Sequence, residues 1–107
     1  MDIDEIRSIV AAWAETQPLV VKVWLFGSRV RGTERPDSDI DIAVEVRRQP
    51  GDTSAWTTFI FEKDGLRASI QSLVPMPVQL EWYGGEVETP TVHAALQESS
   101  MLVYEVV

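Results

Sequence analysis

Residues 39–46, DIDIAVEV, alternate without interruption: Ile40, Ile42, Val44 and Val46 fall on one side, Asp39, Asp41, Ala43 and Glu45 on the other. A strand, whose side chains point to opposite faces with a period of two, sorts such a segment cleanly. One face then joins a core and the other carries two carboxylates. A second segment, LVVKVWLF at 19–26, is β-branched and aromatic and stops at Gly27, which predicts a mostly buried strand.

The remaining elements arrange themselves around these two. Ile3, Ile6, Ile9, Val10 and Trp13 recur at helical spacing. Asp2, with Glu5 three residues on, resembles a capping box, and Pro18 closes the helix. Residues 28–32 suit a short helix or turn. Thr33–Ser38, with Pro36, reads as a loop in which Asp37 is a turn or cap residue. RRQPGD at 47–52 is turn-rich. Trp56, Phe59, Ile60, Leu66, Ile70 and Leu73 predict a helix, with Lys63-Asp64-Gly65 as a break. Met76–Tyr83 reads as a third strand ended by Gly84-Gly85, Thr89-Pro90 as a helix start, and 101–106 as a final strand. The order α-β-(α)-β-α-β-α-β predicts an α+β (mixed α/β) fold, a small mixed sheet backed by helices. Residues 1–107 are expected to form a single domain, since this length is enough for one and too short for two.

Composition narrows the function classes. No apolar run approaches membrane-spanning length. The acidic start MDIDEIRSIV does not read as a signal peptide. There is no cysteine, which removes disulfides, thiolate metal sites and thiol nucleophiles, and fits the cytoplasm. The net charge is −8. Such a field repels a nucleic-acid backbone, so long DNA or RNA is not the expected substrate, while a basic protein partner would be steered inward. The same acidity also serves solubility alone.

The chemistry is concentrated in FGSRVRGTERPDSDIDIAV, residues 26–44. Gly27 at a strand end permits a sharp turn and close ligand approach. A helix starting there offers free N–H groups to an anion. Ser28 adds a hydroxyl, and Arg29 and Arg31 are charged donors suited to phosphate. By itself a Gly-Ser pair after a strand is commonly just a turn. Asp39 and Asp41, two apart on a strand, place their carboxylates about 6–7 Å apart on one face, before side-chain adjustment. They repel unless a cation lies between them, and Mg²⁺ takes one or two carboxylates plus substrate phosphates. The bland alternative is a solvated strand face. His93, the lone histidine, suits the surface of the last helix better than a catalytic role. Trp13, Trp24, Trp56 and Trp82 fall on apolar faces and are expected in the core. Glu86 and Glu88 read as solvated loop charges.

Taken together, Gly27-Ser28, Gly32 and Ser38-Asp39-Ile40-Asp41 resemble the signature of the minimal nucleotidyltransferases, within the DNA polymerase β-like superfamily. The resemblance is confined to this stretch; elsewhere the chain is compatible only in length and element order. It implies that Gly27, Ser28, Arg29, Arg31 and Ser38 bind the nucleotide. It implies that Asp39 and Asp41 hold Mg²⁺, and that a nucleoside monophosphate, AMP from ATP, passes to an acceptor with release of pyrophosphate. The family also expects a third carboxylate on a later strand. In PVQLEWYG the matching position is Gln79, an amide that cannot take a proton. Glu81, on the same strand face, is the candidate substitute.

Small members of this family resemble antitoxins paired with a helical HEPN-type toxin, some of which are thought to receive AMP on a tyrosine. An alternative is a binding module that neutralises its partner by occlusion, its site vestigial, as Gln79 suggests. A third reading, adenylylation of a small molecule, needs an acceptor pocket that a homo-oligomer could supply. A P-loop NTPase is disfavoured, since no G-x-x-x-x-G-K-[ST] occurs.

Overall fold

The computed structural model describes residues 1–106. Four strands form one sheet in the order β3-β2-β1-β4. β1 (Val20–Phe26) is central and antiparallel to both β2 (Ile40–Val46) and β4 (Ser100–Glu105), while β2 is parallel to the edge strand β3 (Val78–Trp82). The expected mixed sheet with helices is therefore what the chain forms.

The alternation of β2 sets the layers. Ile40, Ile42, Val44 and Val46 are buried beneath the helices α1 (Ile3–Glu15) and α3 (Ala55–Gln71). Ile6, Val10 and Trp13 of α1 and Phe59, Leu66 and Ile70 of α3 belong to that same core. Trp13 joins the two helices by donating from Nε1 to Ser69 Oγ at 2.8 Å. The start of α1 follows from Asp2, whose carboxylate accepts from the Glu5 N–H at 2.8 Å, a cap worth about 1 kcal/mol.

On the opposite face, cross-strand register aligns Phe26, Asp41 and Gln79 in one row and Trp24, Ala43 and Glu81 in the next. The short helix α2 (Ser28–Arg31) follows β1 directly. α4 (Pro90–Glu98) covers part of this face: Tyr83 packs edge-on against Trp24 and stacks on His93. His93 is thus half-buried rather than a plain surface residue, and its Nδ1 shares a 2.8 Å hydrogen bond with Tyr83 Oη.

Other expectations need correction, among them the place of Trp24, which is half-buried on the opposite face and outside the core. The break at Lys63-Asp64-Gly65 does not occur, and α3 runs unbroken through it. One exposed glycine costs a helix about 1 kcal/mol, and the burial of Phe59, Leu66 and Ile70 on either side offsets it. The third strand is shorter than Met76–Tyr83, running only over Val78–Trp82. Trp56 is not a core residue; it is 47% exposed on the first turn of α3, tilted against Trp82 and stacked on Phe59. Among the described residues no helix is long and apolar enough to cross a membrane.

Candidate active site

The Gly-Ser turn and the carboxylates meet because β1 and β2 are antiparallel neighbours. Phe26 lies opposite Asp41, so Gly27 and its turn sit over the Asp41 side chain. Gly27 adopts φ 82°, a conformation that side-chain-bearing residues rarely take, and a Cβ there would collide with Asp41 Oδ2. Glycine is thus required twice, for the backbone and for the carboxylate pressed against it.

α2 is a single turn, begun at Gly27 and closed by Gly32 at φ 75°. The N–H groups of Val30 and Arg31 both reach the Gly27 carbonyl. Those of Ser28 and Arg29 precede any intrahelical acceptor and remain available to an anion. The two arginines part company here. Arg29 donates from Nε and Nη2 to the Ser38 carbonyl, at 3.1 and 2.8 Å, tying α2 to the loop ahead of β2. Arg31 is half-exposed, 3.9 Å from Glu98, and its charge acts on Asp41. Ser38 closes a turn: its N–H reaches the Arg35 carbonyl at 3.0 Å, and its Oγ accepts from the Arg35 N–H at 2.8 Å. Asp37 lies inside that turn.

Asp39 stands one residue before β2 rather than within it. Its Oδ2 accepts from Gln79 Nε2 on β3 at 3.1 Å. Asp41 is half-buried, and its carboxyl is pushed above the ordinary range, first by burial, then by the charges of Asp39 and Glu81; Arg31 opposes the shift. Three carboxylates therefore feel one another around Asp41, with one cation in partial balance. A cation beside Asp39 and Asp41 would relieve that repulsion, and two carboxylates completed by phosphate oxygens suit Mg²⁺. Among the described residues no three histidines or acids converge into a cage of their own, so the remaining ligands would come from the nucleotide. Glu81 and Gln79 share the exposed face of β3, between buried Val78, Leu80 and Trp82, as their spacing predicts.

Reading the residues in order missed two supports. Neither the Arg29–Ser38 clamp nor the Asp39–Gln79 bond has a local signal, since both depend on segments brought together by the fold.

The chain resembles several solved structures. It superposes on a toxin–antitoxin complex with AMP-PNP at 19% identity and TM-score 0.64, covering 94% of this chain and 73% of that one. For the toxin–antitoxin MntA-HepT the values are 16%, 0.61, 96% and 73%. For a structure from Shewanella oneidensis they are 13%, 0.63, 98% and 74%. At these identities the likeness concerns the fold. No curated protein matches the chain. The family model for the nucleotidyltransferase domain matches residues 6–83, a span that carries the Gly-Ser turn, both aspartates and β3, and the chain belongs to the nucleotidyltransferase domain family.

Proposed function

We infer that this chain is a Mg²⁺-dependent adenylyltransferase of the antitoxin type, which transfers AMP from ATP to a tyrosine hydroxyl of a HEPN-type toxin partner in the cytoplasm. The observation that carries the reading is the contact between Gly27 and Asp41, which brings a phosphate-suited turn onto a cation-suited carboxylate. The toxin–antitoxin complexes among the similar folds, one of them with AMP-PNP, support the partner and the nucleotide.

In this reading the N–H groups of Ser28 and Arg29, with the Ser28 hydroxyl, hold the triphosphate. Arg31 adds positive charge beside it. Asp39 and Asp41 would hold the Mg²⁺, which when bound neutralises charge developing on the phosphates. The acceptor oxygen attacks the α-phosphorus, the bond from that phosphorus to the bridging oxygen breaks, and pyrophosphate leaves. Glu81, exposed beside this row, takes the acceptor proton. Gln79 orients Asp39 through its amide.

The test is transfer of label from α-³²P-ATP to the co-purified partner. The expected result is Mg²⁺-dependent labelling lost in Asp39→Asn and in Asp41→Asn; wild-type labelling in both would end the metal role. A second reading, a module that silences its partner by occlusion alone, is favoured by the amide at position 79. Calorimetry of ATP with Mg²⁺ separates the two, because the occluding module would not bind the nucleotide.

A further inference from the structure

β3 is an edge strand, and its pairing with β2 uses only alternate residues. The Ile40 N–H reaches the Pro77 carbonyl and the Tyr83 N–H reaches the Val44 carbonyl. In this parallel register the N–H and C=O groups of Val78, Leu80 and Trp82 therefore point away from β2, toward the open edge. At one end the fold satisfies them itself. Gln71 Oε1 accepts from the Val78 N–H at 2.9 Å, and Arg67 Nε donates to the Val78 carbonyl at 3.2 Å. At the other end, the Gly84 N–H donates to Thr89 Oγ1 at 3.1 Å. Between these two closures, the outward groups of Leu80 and Trp82 have no partner among the described residues.

Leu80, Glu81 and Trp82 line a groove of about 270 Å³ between α3 and the start of α4, and Leu80 and Trp82 are buried there. Buried backbone groups without partners are rare. Trp82 Nε1 is likewise buried and without a partner among the described residues. One wall carries Trp56, half-exposed, with Phe59 and Lys63; the others carry the carboxylates of Glu81 and Glu88.

We propose that this groove binds an extended, basic segment of a partner protein by strand addition to β3. The backbone of that segment pairs with Leu80 and Trp82. Its arginines or lysines meet Glu81 and Glu88, and a guanidinium lies over the Trp56 ring. Charge argues for this occupant against a second copy. Two copies paired through β3 would bring their Glu81 and Glu88 carboxylates together, on chains that each carry −8. Because Glu81 belongs both to the groove and to the row beside Asp41, a segment bound here passes directly alongside the candidate active site. The docking shares Glu81 with the proposed transfer chemistry but does not need that chemistry to occur.

The test is calorimetric titration of the full chain with a short synthetic peptide of alternating arginine and valine. The same peptide methylated on alternate backbone nitrogens, and one with glutamate in place of arginine, are titrated beside it. The arginine peptide is expected to bind and to slow amide exchange at Leu80 and Trp82. Backbone methylation weakens it about tenfold or more, the glutamate peptide fails, and Trp56→Ala and Glu88→Gln each weaken binding severalfold. The Asp41→Asn variant still binds, which keeps this result separate from any failure of transfer. Equal binding of the methylated peptide would overturn the proposal in favour of charge attraction alone. Protection on β4 in place of β3, or a dimer in sedimentation that Trp56→Ala dissolves, would overturn it as well.

Discussion

Gln79 donates its side-chain amide to Asp39 across the parallel β2–β3 pair, at 3.1 Å. An amide in this place steadies the carboxylate without adding a fourth negative charge to the three already crowded together at Asp39, Asp41 and Glu81. Gln79→Ala should weaken Mg²⁺-dependent ATP binding by about three- to tenfold, the worth of one hydrogen bond. Gln79→Glu should lower the melting temperature of the metal-free protein and recover it on addition of Mg²⁺. Melting curves with and without the ion decide the point, and a metal-independent Gln79→Glu curve would refute the placement.

Glu81→Gln should lower turnover about a hundredfold while leaving ATP affinity unchanged, as expected for loss of a proton acceptor. Single-turnover labelling beside nucleotide titration separates the two quantities. A larger kinetic loss in Gln79→Ala than in Glu81→Gln would refute the choice of Glu81 for this role.

Asp41 has a folded-state pKa above its ordinary value, so the folded chain holds that proton more tightly than the unfolded chain does. Its contribution to stability is fully present below the unfolded value and is lost as pH rises through the raised one. Asp41→Asn should therefore raise the metal-free melting temperature at neutral pH by up to a few degrees. The gain should vanish in acid, and a pH series of melts on both proteins measures it.

Gly27→Ala should destabilise the fold by about 2–3 kcal/mol, from backbone strain and the displaced Asp41 carboxylate together. Urea titration gives the loss. The double variant Gly27→Ala/Asp41→Gly, which removes the collision, should recover part of it.

Thr58 is the buried polar residue of the core. Its hydroxyl donates to Asp52 Oδ2 at 2.6 Å and accepts from the Gln49 N–H at 2.9 Å, fastening the loop after β2 to α3. Thr58→Val keeps the shape and should cost about 1–3 kcal/mol by leaving both partners unsatisfied. An unchanged urea midpoint would show that water replaces the hydroxyl.

Much of this architecture was legible in the order of residues because short-range physics dictates it. The alternation of Ile40, Ile42, Val44 and Val46 specifies a strand and its buried face whatever lies elsewhere. Gly27 after an apolar run specifies a turn. Position 65 misled because glycine's helical penalty is small and local, whereas the burial of Leu66 and Ile70 is a tertiary effect. Trp56 misled because helical spacing marks an apolar side without saying how far the opposing layer extends, and β3 is where the sheet stops. The parallel register that sets Gln79 beside Asp39 joins residues 40 positions apart, and no local pattern encodes it.

The clamp from Arg29 to the Ser38 carbonyl has a mechanical consequence. Two hydrogen bonds from one guanidinium tie the turn at Gly27 to the residue just ahead of Asp39. The spacing between that turn and Asp39 is thus set within the chain itself, before any ligand arrives.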